Sequence, residues 1–141
     1  MPHTRSPREV FLAVINGVAA KRDPADLAAL YAEETDVVHP FDPERAPALR
    51  TRDELREHFA LSQRIRRVFA DREAVDVLIH ETADPEVVVG EFAYQGTNTE
   101  TGDQMRLPAI FVMRVRDGLI VESRDYADHL AGARAVAASD R

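Results

Sequence analysis

The sequence predicts an α+β fold: a curved antiparallel sheet with three helices packed on one face, enclosing an apolar pocket. Three observations lead there. The element signals run helix, helix, strand, helix and then four strands, an order that segregates helices from sheet. Asp117-Gly118 separates two apolar strand-like runs and is a strong two-residue hairpin signal. The second run then passes into Glu122, Arg124 and Asp125, which delivers an acid to the end of an otherwise apolar surface.

Each element has its own warrant. Ser6-Pro7-Arg8-Glu9 is a capping box with proline at the first helical position, so a helix is expected over residues 7–21. Val10, Phe11, Val14, Ile15 and Val18 share one face of it. The run could pass for a signal-peptide core, but the cap, the adjoining Glu9 and the interrupting Asn16 favour an amphipathic helix of a cytoplasmic protein. Asp23-Pro24 opens a second helix with Leu27, Leu30 and Tyr31 as its apolar stripe. Residues 35–39 read as a short strand halted by Pro40. Residues 40–50 hold three prolines and read as loop. Thr51-Arg52-Asp53-Glu54 is a second capping box and starts a third helix reaching about residue 67. After Asp71 the period becomes two, with Val75, Val77 and Ile79 alternating with Asp76, Leu78 and His80. A turn at Asp84-Pro85 leads to a strand over residues 87–96, a polar loop over 97–103 and the Asp-Gly hairpin. An alanine-rich stretch, 127–138, suits a short closing helix. No repeat or low-complexity linker interrupts the chain, so residues 1–141 parse as one domain.

Composition narrows the function classes. A net charge of −7 argues against nucleic acid, because phosphate backbones need a concentrated basic surface. Arg64, Arg66 and Arg67 form a tight basic cluster, read as a solvated helix face. The absence of cysteine excludes disulfides, thiolate catalysis and Cys-ligated metals. No run approaches the roughly 18 apolar residues of a membrane span. Nucleotide-binding glycine loops and nucleophile elbows are absent. Asp125, Asp128 and His129 match no metal-ligand spacing, so no metal site is expected.

Two stretches carry a family resemblance: L-A-A-L-Y-A-E-E-T-D-V-V-H-P with T-R-D-E-L-R-E-H-F, and L-P-A-I-F-V-M-R-V-R-D-G-L-I-V-E-S-R-D-Y-A-D. On these the chain resembles the nuclear transport factor 2-like superfamily, which includes ketosteroid isomerases, limonene-epoxide hydrolases and SnoaL-type polyketide cyclases. The resemblance implies a cone around an apolar cavity, in a homodimer. It also allows the member chemistries to be tested. Aligning the isomerases' Val-Glu-Asp-Pro on Val37-Val38-His39-Pro40 puts His39 where the base would be, while the oxyanion-hole positions fall near Ile15 and Phe111, whose side chains cannot donate. The hydrolases' second aspartate is matched by Asp125 in Arg124-Asp125-Tyr126. Their Arg-x-Asp falls on Glu91-Phe92-Ala93, where arginine and acid are both missing. A SnoaL-type cyclase needs only a shaped apolar pocket and one acid/base group late in the chain.

The expected site therefore has Asp125 as general acid/base, with His39 and Glu91 assisting and Phe111, Met113, Ala109 and Ser123 lining the pocket. Strand parity groups Asp125 with Val121 and Ser123 and directs Glu91 at the same cavity, where mutual repulsion and desolvation would raise at least one carboxyl pKa. The same parity sends Tyr94 and Tyr126 to the opposite face. The expected activity is a cofactor-free cyclisation, isomerisation or dehydration of a small hydrophobic, oxygenated metabolite. The alternatives are an epoxide hydrolase with a rewired site and a non-catalytic small-ligand-binding or association module.

Overall fold

The computed structural model describes residues 4–139. Its elements are α1 (Pro7–Ala19), α2 (Pro24–Ala28), β1 (Tyr31–Val38), β2 (Leu49–Thr51), α3 (Arg52–Ile65), β3 (Phe69–Glu81), β4 (Val87–Asn98), β5 (Gln104–Arg116), β6 (Leu119–Ala127) and α4 (His129–Ser139). The architecture is α+β, as the element signals predict. Among the described residues the strands form one open six-stranded sheet in the order β2-β1-β6-β5-β4-β3. The sheet is mixed, not wholly antiparallel, because β1 lies parallel to β6. Hydrophobic alternation reports which face a residue takes and says nothing of strand direction.

The caps work as their chemistry requires. Ser6 Oγ accepts from Glu9 N–H and Glu9 answers on Ser6 N–H, which satisfies two orphan donors of α1. α1 stops at Ala19, short of the expected Lys21, in a Schellman turn. Arg22 N–H donates to the Gly17 carbonyl and Lys21 N–H to that of Val18, with Lys21 in the left-handed region at φ 56°. Asp23 caps α2 through Ala25 N–H. Thr51 caps α3 through Glu54 N–H, but the Glu54 carboxylate reaches past its own cap to Arg50 N–H. That contact sits beside β2, a three-residue strand inside what the prolines mark as loop. Asp117 and Gly118 are both at positive φ, 52° and 79°, as a type I′ hairpin turn demands.

α1 lies across β3, β4 and β5, and its face of Val10, Phe11, Val14 and Ile15 is buried on the sheet. Phe11 sits edge-on to Phe92 and Phe111 at 5.8 and 6.3 Å between ring centroids. The ring rests directly on Gly90, where an added Cβ would stand 2.1 Å from Phe11 Cζ. Close approach of helix to sheet at that point depends on glycine. α3 covers α2 and the β1–β2 edge. The three helices α1, α3 and α4, with one face of the sheet, supply walls for the cavity described next.

Two bulges set which side chains face inward. In β3 the register shifts between Val75 and Leu78, with Asp76 at φ 56°, so the expected Val75-Val77-Ile79 alternation breaks and Val77 is exposed. In β6 Val115 pairs with Ile120 while Arg114 pairs with Glu122, which makes Val121 the extra residue. The inward set is therefore Ile120, Ser123 and Asp125, with Ile120 in the place expected for Val121.

Candidate active site

A cavity of about 260 Å³ opens between the sheet, α1, α3 and the start of α4. Its walls are mostly apolar, from Val14, Val18, Leu55, Leu107, Ala109 and Phe111. Asp125 is set into this wall by the register of β6: it pairs with Phe111 on β5, and its neighbour Arg124 pairs with Val38 on β1. Its residue exposure is 7%, and no guanidinium or ammonium pairs with it among the described residues. Burial raises its pKa from the ordinary 3.8 to about 7, against the opposing effect of Ser123. The Ser123 hydroxyl donates to Asp125 Oδ1 from beneath, buried at 1% exposure and not itself part of the cavity wall.

His39 follows β1 and brings Nε2 to 3.6 Å from Asp125 Oδ2, beyond hydrogen-bond reach. Burial, then His58 and His129, lower its pKa to about 4, so at neutral pH the ring is uncharged and the pair is not an ion pair. His39 stands at the centre of a histidine cluster, 5.1 Å from His58 and 5.7 Å from His129 between ring centroids. All three line the cavity, and burial lowers the pKa of each. Asp42, also in the lining, accepts at its two carboxylate oxygens from the N–H groups of Ala46 and Glu44, which hold its pKa down. Among the described residues no group of three or more His, Asp or Glu side chains is placed to hold a metal ion.

Tyr31 and Tyr94 add to the polar lining, and burial holds both phenols protonated far above neutral pH. The Asp125 charge raises both further, which places all three groups within electrostatic reach of one another. Among its polar groups the cavity presents one carboxyl that titrates near neutrality, two phenol donors and neutral imidazoles. Such a set can remove a proton from carbon and steady the oxygen that gains the charge.

The structure brings Asp125, His39, Phe111 and Ala109 together at this cavity. Met113 is fully buried in the core and forms no part of the wall, two residues deeper along β5 than Phe111. Glu91 does not join Asp125. The register pairs Glu91 with Ile110 and Ile110 with Tyr126, which puts Glu91 and Tyr126 on the outer face, while Asp125 shares the inner face with Phe111 and Gly90. There Glu91 bonds His80, with Nε2 and Oε2 2.6 Å apart, and is half exposed. Tyr94, at a position of opposite parity to Glu91 on the same strand, faces inward and lines the cavity, contrary to expectation. The second acid of a limonene-epoxide-hydrolase-like site is thus not supplied by Glu91. His58 was legible in principle, since it follows Leu55 by three positions and so shares its inward helix face. Arg66, expected with Arg64 and Arg67 on a solvated helix face, is instead drawn into the cavity wall, and Arg72, which no sequence pattern marks, also lines it.

Comparison with known proteins agrees with this fold. The family model described as SnoaL-like domain matches residues 11–123, ending just before Asp125. An uncharacterised PhzA/B-like protein of Pseudomonas aeruginosa is 35% identical over 95 residues, covering 64% of this chain and 67% of the relative. Among solved structures, a candidate isomerase from Bacillus subtilis superposes with a TM-score of 0.79 at 23% identity, over 93% of this chain and 92% of its own. A candidate polyketide cyclase from Xanthomonas campestris superposes with a TM-score of 0.69 at 18% identity, over 92% and 96% of the two chains. At these identities the structural likenesses speak for the fold.

Proposed function

Because the chain belongs to the SnoaL-like domain family, we propose that it is a cofactor-free acid/base enzyme acting on a small hydrophobic, oxygenated metabolite. Its reaction is a cyclisation, isomerisation or dehydration that begins with proton removal next to a carbonyl. Asp125 takes the proton; the Tyr31 and Tyr94 hydroxyls donate to the oxygen as it gains charge; neutral His39 keeps the carboxyl in a site without a counter-ion. The observation that carries this reading is the burial of Asp125 on an apolar cavity wall, which brings its pKa to about 7. A base is most useful when its pKa lies near the working pH.

The test follows deuterium exchange at the carbon beside the carbonyl of a cyclic ketone, α-tetralone, by NMR. The wild type should accelerate exchange over buffer, and Asp125→Asn should lose about 100-fold or more of that acceleration. Exchange that Asp125→Asn leaves untouched, or no acceleration at all, would move the protein to the rival class, a non-catalytic small-ligand-binding module. The enzyme is further proposed to work as a single-domain cytoplasmic homodimer. Ile110 and Phe41, exposed on the outer sheet face and its flank, support a second copy there, and a monomer mass in sedimentation would refute it.

A further inference from the structure

The cavity wall carries two guanidinium groups that the acid/base reading does not use. Arg66, the C-cap of α3, and Arg72, on β3, both line the cavity. Neither has a carboxylate partner, and the Arg66 guanidinium makes no hydrogen bond among the described residues. The two are close enough that Arg66 lowers the pKa of Arg72, and Arg66 acts likewise on His39, His58 and His129. Bringing like charges together in a partly desolvated wall is costly unless an anion completes the set.

Two orphaned atoms point the same way. Among the described residues, the buried side-chain nitrogens with no hydrogen-bond partner are Arg72 Nε and His129 Nε2. Arg72 and His129 are both residues of this cavity's wall. The rest of Arg72 is held firmly: one Nη donates to the Val18 carbonyl at 2.7 Å, and its Cζ lies 5.3 Å from the Phe69 ring centroid and 5.6 Å from that of Tyr94. Arg66 is packed under α4, where a Cβ at Gly132 would come within 3.1 Å of Nη2. These are fixed forks, not waving surface chains. The nearby acids, Asp42 and Asp128, accept from backbone amides, and neither bonds a guanidinium among the described residues.

We propose that Arg66 and Arg72 anchor a carboxylate, so that the cavity takes a small cyclic or aromatic organic acid with its reacting carbon toward Asp125. The proposal deepens the acid/base reading and rests on it for the role of Asp125. A guanidinium fork matches the two coplanar oxygens of a carboxylate. The apolar wall receives the ring, and a volume of about 260 Å³ suits a ligand below drug size. Tyr94 feels Arg72, Asp125 and Arg66 together, so its hydroxyl lies within electrostatic reach of anchor and base alike.

Calorimetric titration of the full chain with benzoate and with benzamide, equal in shape and different in charge, tests the anchor. Benzoate should bind about tenfold or more tightly than benzamide. Arg66→Gln and Arg72→Gln should each weaken benzoate about tenfold while leaving benzamide within about twofold. Asp125→Asn should keep the preference for benzoate. Equal binding of the two probes, binding of neither at millimolar concentration, or a preference that survives both substitutions overturns the proposal. In that event the arginines serve the fold, Arg66 against the negative end of α3 and Arg72 through Val18. The wild-type comparison of the two probes needs no variant, so it decides the matter even where a substitution unfolds the chain. Loss of the benzoate preference alongside intact Asp125-dependent exchange removes the anchor alone. The converse result removes the acid/base reading alone.

Discussion

At the scale of the residue, Asp125 owes its position on the pH scale to two opposed effects. Burial raises the pKa and the Ser123 hydroxyl, by stabilising the charged carboxylate, lowers it, with burial the larger. Ser123 is almost completely enclosed, so removing its hydroxyl offers the carboxylate little water in exchange. Ser123→Ala should therefore raise the Asp125 pKa above about 7, by on the order of one unit. A carbon-13 NMR titration of the carboxyl in wild type and variant reads this directly, and an unchanged or lower midpoint would show that Ser123 does not tune the base. Any Asp125-dependent exchange should shift its alkaline plateau by the same amount. His39 provides the contrast within the same cavity: one environment lifts an acid and depresses a base, because in both cases it rejects the charged form.

At the scale of the element, what the sequence revealed and what it hid follow from the range of the interactions involved. Ser6, Asp23 and Thr51 cap their helices through groups two or three residues away, and Asp117-Gly118 closes its turn within two residues. Such contacts are written locally and are legible. So is the inward placement of Phe111, on unbroken alternation along β5, and of Asp125 with Ser123, because the β6 bulge at Val121 falls before both. Whether Glu91 meets Asp125 depends on how β4 pairs with β5 and β5 with β6, and a one-residue difference in register exchanges the faces. That exchange moves Glu91 outward to His80 and Tyr94 inward to the cavity. The bulges at Asp76 and Val121 disturb alternation for a similar reason, since an extra residue shows itself only in the pairing with the neighbouring strand. His58, His129, Arg66 and Arg72 come from α3, α4 and β3, segments that only the tertiary fold assembles around one cavity.

At the scale of the whole molecule, the cavity makes stability depend on pH in two opposed directions. An unfolded chain holds Asp125 near its ordinary pKa of 3.8, and the native state holds it near 7. Between those values the native carboxyl keeps a proton that the unfolded one releases. The resulting destabilisation is absent below about pH 4 and complete above about pH 7. His39 runs the other way: its pKa falls from 6.5 to about 4, so its cost is absent above about pH 6.5 and grows as pH falls to about 4. His58 and His129 are lowered too and act in the same sense. Through the mildly acidic range the aspartate and the histidines thus partly cancel, and the wild type should show a shallow profile. Asp125→Asn removes one side of the balance. Apart from a constant offset for the altered bond to Ser123, its stability relative to wild type should climb from about pH 4 and level off above about pH 7. The full gain is on the order of 4 kcal/mol, about three pKa units at about 1.4 kcal/mol each. Urea unfolding midpoints of both proteins across that range measure the difference. A difference that stays flat with pH would mean that Asp125 titrates normally in the native state, and the argument for a buried base at this cavity would fail with it.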